Sequence, residues 1–68
     1  MEKVRISTEY IKLEQLLKYC GLADTGSEAK YIIAEGRVKV NDNIELQRGK
    51  KLRPGDIMEF DGKKYLVE

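Results

Sequence analysis

The stretch SEAKYIIAEGRVKVND, residues 27–42, changes its pattern at a single glycine. Its first part repeats small and apolar residues at the spacing of a helix, at Ala29, Ile32 and Ile33. After Gly36, residues 37–40 alternate basic and apolar side chains, which is the pattern of a half-buried strand. We therefore expect a helix that ends at Gly36 in a left-handed conformation and a strand that begins directly after it.

The residues just before this stretch predict where the helix begins. Thr25 and Glu28 have the spacing of a capping box, so the helix should begin near Gly26. Ala29 is small where a larger apolar residue would normally serve, which favours the close approach of a second helix. Lys30 and Tyr31 follow on the side away from the buried residues.

A second amphipathic pattern lies earlier in the chain. Its apolar stripe has helical spacing and consists of Leu13, Leu16, Leu17 and Cys20. We expect this first helix to be capped by Ser7 or Thr8 and to end at Gly21. Val4 and Ile6 alternate with polar residues, which predicts a short strand ahead of it.

Turn signals divide the second half of the chain into short strands. Asn41-Asp42 is a tight-turn pair. Asp at the second turn position is less suited than Gly to positive φ, so we allow Asn43 to share the turn. Residues 53–56, Arg-Pro-Gly-Asp, fit a turn with proline second and glycine third. The strands expected here are residues 37–40, 44–46, 57–60 and 64–67, the last two joined by Asp61-Gly62. The pattern predicts an α+β fold in one small domain.

Composition excludes some functions and leaves the partner open. Thirteen basic and twelve acidic residues give a formal charge of +1, so the net charge alone indicates no anionic partner. No apolar run approaches the roughly 18 residues of a membrane span, and the charged N-terminus MEKVRIS is unlike a signal peptide, so we expect a cytoplasmic protein. The chain has no histidine and a single cysteine, Cys20, which we expect in the core and not at a metal site.

Four spaced motifs occur in one order: GLA at 21–23, EAK at 28–30, EGRVKVN at 35–41 and RPGD at 53–56. From about Lys12 to Phe60 the chain thereby resembles the alpha-L RNA-binding domain, named after the fourth protein of the small ribosomal subunit. TG-x-x-AK at 25–30 is most similar to the stand-alone bacterial members of the YaaA/YbcJ type. The resemblance implies one domain over residues 1–68, with two helices packed in an L and a small, curved, mostly antiparallel sheet of about four to five strands.

The resemblance also implies an RNA-binding surface on the helix pair and the adjoining strand start. Lys12 stands where the family usually has an arginine, and Gly26 replaces an arginine that many relatives carry. Arg37 stands where a histidine is common. Basic groups on such a rigid corner can track phosphates, and a neighbouring tyrosine can stack on an unpaired base. The expected RNA contacts are Lys12, Thr25, Gly26, Lys30, Tyr31, Arg37 and Lys39, with a secondary contact at Lys50, Lys51 and Arg53.

Other interpretations of these residues stay open. Lysines on outward helix faces commonly only keep a protein soluble, and Tyr10, Tyr19 and Tyr31 are as suited to covering the core edge as to stacking on a base. A near-neutral chain also suits a protein-interaction module of similar fold without direct RNA contact. The sequence offers no histidine and no phosphate-binding glycine loop, which disfavours an enzyme. The favoured prediction is a non-catalytic monomer without a cofactor that binds structured RNA, with ribosomal RNA in assembly or translation as one candidate.

Overall fold

The computed structural model describes all 68 residues as two helices and seven short strands. The helices are α1 (Leu13–Tyr19) and α2 (Gly26–Ala34). The strands are β1 (Glu2–Val4), β2 (Ile11–Lys12), β3 (Val38–Val40), β4 (Asn43–Ile44), β5 (Lys51–Leu52), β6 (Ile57–Phe60) and β7 (Lys63–Val67). This α+β architecture confirms the predicted fold class. Neither helix has the length and apolar composition of a membrane-spanning segment.

The strands form one five-stranded sheet and one small pair. The order in the larger sheet is β1-β7-β6-β3-β4, with β1 parallel to β7 and every other pair antiparallel. Strands β2 and β5 form a separate antiparallel pair. The C-terminus secures the first strand, since Glu68 donates its backbone N–H to Val4 O at 2.8 Å. The mostly antiparallel sheet is as predicted, whereas the pair β2–β5 was not predicted.

One apolar cluster holds both helices and both sheets together. It buries fifteen side chains and no polar or charged one. Its members include Leu13, Leu16 and Leu17 from α1 and Ala29, Ile32 and Ile33 from α2. The predicted stripe of α2 and the three leucines of the α1 stripe are therefore confirmed. The prediction for Cys20 was wrong, since this residue follows α1 as its C-cap and is not in the core. Cys20 is only partly buried and packs against the edge of this cluster, where burial raises the pKa of its thiol to about 11.

Helix α2 has the predicted boundaries. Thr25 is the N-cap, and its Oγ1 accepts the Glu28 backbone N–H at 3.1 Å. The Glu28 carboxylate reaches back to the Asp24 N–H at 2.8 Å, one residue earlier than in a standard capping box. Gly36 has a φ of +74°, the left-handed conformation that ends a helix. The polypeptide therefore turns sharply from α2 into β3.

Helix α1 begins later than predicted. Ser7 and Thr8 are not its caps, because the helix begins only at Leu13. Ile11 and Lys12, which directly precede the helix, pair with the distant strand β5. Ser7 and Thr8 are suitable helix caps in their local sequence. Residues 11–12, however, are held in an extended conformation because they pair with a strand some forty positions away, so the helix can begin only after them. A window of neighbouring residues contains no signal for that partner.

The predicted tight turns are confirmed. Asn41 and Asp42 have φ values of +50° and +71°, so these two residues form the whole turn and Asn43 already pairs with Val40. The strand expected at 44–46 is accordingly displaced to Asn43–Ile44. The pair Asp61-Gly62 joins β6 to β7, also with two positive φ values.

Candidate nucleic-acid interface

The sequence-predicted residues on α2 lie at the surface. Thr25 and Gly26 form the start of the helix, and both are exposed. Lys30 and Tyr31 project from its solvent side, where the Tyr31 side chain is 68% exposed. Nothing in the fold covers the Tyr31 ring, so it is accessible for stacking.

Arg37 is accessible but already paired. Its guanidinium lies 3.2 Å from the Glu35 carboxylate and 3.6 Å from the Asp61 carboxylate. The same group lies 5.0 Å from the centre of the Phe60 ring, a cation–π distance. A phosphate at Arg37 would therefore have to compete with two carboxylates.

Lys39 lies on the outer face of the sheet. Val38 and Val40 on either side of it are buried, so the Lys39 side chain points away from the core. Its cross-strand neighbours are Glu59 on β6 and Ile44 on β4. Lys39 therefore stands beside one carboxylate and one apolar side chain.

We call the residues Thr25, Gly26, Lys30, Tyr31, Arg37 and Lys39 the α2–β3 surface. The segment that contains them, residues 24–40, has three cations and three carboxylates and carries no net charge. The carboxylates are Asp24, Glu28 and Glu35. Phosphate attraction to this surface is therefore weak unless the RNA fits its shape.

Lys12, the seventh predicted contact, lies in a different sheet from Lys39. It is the N-cap of α1 and the last residue of β2, directly opposite Lys51 on β5. Its backbone N–H donates to the Gln15 side-chain oxygen at 3.2 Å. The structure thus groups Lys12 with the predicted secondary contacts Lys50, Lys51 and Arg53.

Backbone hydrogen bonds fix the basic loop to the start of α1. Leu13 donates its N–H to Lys50 O at 2.8 Å, and Glu14 donates to Arg48 O at 3.1 Å. The first amides of a helix have no partner within the helix, so the loop supplies acceptors that α1 needs. The loop is therefore an ordered part of the fold, and the backbone positions of its basic residues are fixed.

The five basic residues of this region have no ion-pair partner. Both ion pairs in the structure belong to Arg37. We call this group the β2–β5 surface; its members are Lys12, Arg48, Lys50, Lys51 and Arg53. Sequence reasoning missed Arg48, for which the only signal was its position in the same basic loop.

Tyr10 extends the β2–β5 surface with an aromatic ring. The Lys51 Nζ lies 4.9 Å and the Arg53 guanidinium carbon 5.7 Å from the ring centre. Both distances allow cation–π attraction, which holds the two cations beside the ring. The surface therefore combines phosphate-binding charges with an aromatic neighbour. No group of three or more His, Cys, Asp or Glu residues is placed to hold a metal ion.

The S4 domain model matches residues 4–68, nearly the whole chain. The chain belongs to the S4 domain family, in agreement with the resemblance seen in its motifs. The probable ribosome maturation protein RlbA of Bacillus subtilis (strain 168) is 41% identical over 59 residues, which cover 87% of this chain and 83% of the relative. The putative RNA-binding protein YbcJ of Escherichia coli (strain K12) is 38% identical over 53 residues, 78% of this chain and 76% of the relative.

Solved structures show the same fold. The solution structure of E. coli YbcJ, described as having an αL motif involved in RNA binding, superposes with a TM-score of 0.72 at 32% identity, over 98% of this chain and 86% of that one. The crystal structure of the 30S ribosomal protein S4e from Thermoplasma acidophilum also gives a TM-score of 0.72, at 26% identity. That match covers 88% of this chain and 32% of S4e.

Proposed function

We propose that this chain binds RNA as a monomer and catalyses no reaction. The observation that carries the proposal is the β2–β5 surface, where five cations without carboxylate partners stand on ordered backbone. Membership of the S4 domain family supports it, as do relatives described as RNA-binding and as acting in ribosome maturation. Such cations bind phosphates without needing a catalytic group.

The RNA class that we propose is structured RNA in the cytoplasm, with ribosomal RNA as the first candidate. The matches to a ribosome maturation protein and to a ribosomal protein support this choice. A chain with a formal charge of only +1 gains little from overall attraction, so its affinity must come from a few local contacts. We therefore expect a shallow slope of about −2 to −4 when the logarithm of the affinity is plotted against that of the salt concentration.

Filter binding of the purified chain to deproteinised ribosomal RNA tests this function. Retention that falls with salt along such a slope supports the proposal. A tagged chain should also recover RNA from cells, and RNase treatment should release it. No retention at low salt, together with a protein partner that survives RNase, would overturn RNA binding in favour of a protein-interaction module.

A further inference from the structure

The pair β2–β5 places two positive charges directly opposite each other. Lys12 and Lys51 are cross-strand partners, and both side chains are exposed. Like charges at directly opposed positions destabilise a strand pair. No carboxylate forms an ion pair with either lysine, so the protein itself does not offset this repulsion. An anion bound between the two ammonium groups would offset it.

The wider charge distribution points to the same place. Residues 10–14 and 47–53 contain five of the thirteen basic residues and only one of the twelve acidic residues, Glu14, which gives this region a charge of +4. The rest of the chain has eight basic and eleven acidic residues, a net charge of −3. A polyanion is therefore attracted to the β2–β5 surface and repelled by much of the remaining molecule.

An aromatic groove continues from this surface through Tyr10. The groove runs along α1, and its lining includes Tyr10, Ile11, Gln15 and Tyr19. Tyr19 is 64% exposed, and its hydroxyl donates to Arg5 O at 3.3 Å, which restrains the ring. Among the lining residues, Lys18 is the single cation and Glu9 the single carboxylate.

This combination fits an unpaired nucleotide better than a paired one. Bases inside a duplex present only their edges, whereas an unpaired base can lay its face on a tyrosine ring. Gln15 lines the same groove; its side-chain oxygen already accepts the Lys12 N–H, and its side-chain NH2 can donate to a base edge. Lys51 and Arg53 stand beside Tyr10, one of the residues that line the groove, so they can bind phosphates next to a base held there.

We propose that an unpaired segment within the structured RNA binds across the β2–β5 surface and places a base in the groove between Tyr10 and Tyr19. This surface supplies most of the affinity, and the α2–β3 surface contributes less because its segment is neutral and its arginine is already paired. The inference rests on the proposed RNA-binding function and adds the site and the kind of RNA.

Fluorescence anisotropy with the full chain tests the location of the site. The probes are a fluorescein-labelled oligouridylate of about ten nucleotides and a blunt RNA duplex of about the same length. The double variant Lys51→Glu/Arg53→Glu should weaken oligouridylate binding by roughly tenfold or more and reduce the salt slope by about 2. Lys30→Glu/Lys39→Glu has the same charge change and should cause a smaller loss. Lys63→Glu/Lys64→Glu, on the β6–β7 hairpin, is the matched control.

Two further variants test the groove. Tyr19→Ala should weaken oligouridylate binding by about fivefold and leave duplex binding unchanged, because stacking on a base face needs an unpaired base. Tyr19→Phe keeps the ring and should bind as the parent does. Lys51→Gln/Arg53→Gln removes the same two phosphate contacts without introducing repulsion, so it should also reduce the slope by about 2, with a smaller loss of affinity. This variant separates lost contacts from any misfolding of the Glu variant.

The outcomes separate this inference from the proposed function. If Lys30→Glu/Lys39→Glu abolishes binding and Lys51→Glu/Arg53→Glu does not, the chain binds RNA but the site proposed here is wrong. Duplex binding as tight as oligouridylate binding, or equal loss in all three charge variants, would also overturn the site. If the parent binds neither probe nor ribosomal RNA at low salt, the proposed function itself is wrong.

Discussion

Lys12 and Lys51 are directly opposed in the antiparallel pair β2–β5, and neither has an ion-pair partner. A like-charged cross-strand pair costs about 0.2–1 kcal/mol relative to neutral residues. A protein that stabilises its fold with a core of only fifteen buried residues has little free energy of unfolding to lose. We expect such a cost where the two charges serve an anionic ligand.

Lys12→Glu should therefore stabilise the fold and weaken RNA binding. The new carboxylate faces Lys51 and also lies at the start of α1, where negative charge is favourable. We expect the free energy of unfolding to rise by about 0.5–1 kcal/mol, measured by urea denaturation. Lys12→Gln should give a smaller change of the same sign in both measurements. A variant that loses stability and affinity together would show that Lys12 is structural.

Ala29→Leu should destabilise the fold. Ala29 is completely buried on α2, which packs against α1, so three added carbon atoms have no space. Overpacking of this kind costs about 1–3 kcal/mol. Ala34→Leu is the control, because Ala34 is exposed on the same helix. Equal melting temperatures for the two variants would mean that Ala29 is not tightly packed.

Gly36→Val should destabilise through the backbone alone. The φ of +74° is strained for any residue with a side chain, and most for a β-branched one. Space is not the cause, since the nearest atom to an added Cβ is Ile44 Cγ2 at 3.8 Å. We expect a loss of at least about 1 kcal/mol in thermal or urea unfolding. Gly26→Val, with open space and no positive φ, should change stability much less.

The stability of the chain should fall at alkaline pH. Burial raises the pKa of Cys20 to about 11 from 9.0, with a further contribution from Glu2. Because the folded state holds the thiol proton more tightly, this stabilisation is complete below about pH 9 and is lost as the pH rises through 11. The urea midpoint should therefore drop between about pH 9 and about pH 11, and the midpoint of Cys20→Ala should drop less. The pKa of Tyr65 is also raised by burial and by Glu2, so part of the dependence should remain. An identical drop in parent and variant would contradict the role of Cys20.

Local signals predicted α2 and the tight turns, because each depends on residues close together in the chain. The Thr25 cap, Gly36 and the pair Asp61-Gly62 have backbone preferences that need no distant partner. The start of α1 could not be predicted in this way. It depends on Ile11–Lys12 pairing with Lys51–Leu52, and strands of two residues have no detectable period.

The candidate site shows the same division. Lys30, Tyr31 and Lys39 were predicted to be exposed, and the helical and strand periods were sufficient for that. The meeting of Lys12 with the loop at 48–53 depends on the long-range pair β2–β5, so the sequence suggested two separate sets of contacts. The Asp61 carboxylate beside Arg37 was also missed, because it comes from a hairpin twenty-four positions away.

Ultraviolet crosslinking of bound RNA, with mass spectrometry of the modified peptides, tests the central claim most directly, because the four tyrosines report on different surfaces. Tyr10 and Tyr19 line the proposed groove, Tyr31 lies on the α2–β3 surface, and Tyr65 is buried. We expect nucleotide adducts on Tyr10 or Tyr19 and none on Tyr65. Adducts on Tyr31 with none on Tyr10 or Tyr19 would contradict RNA binding at the β2–β5 surface.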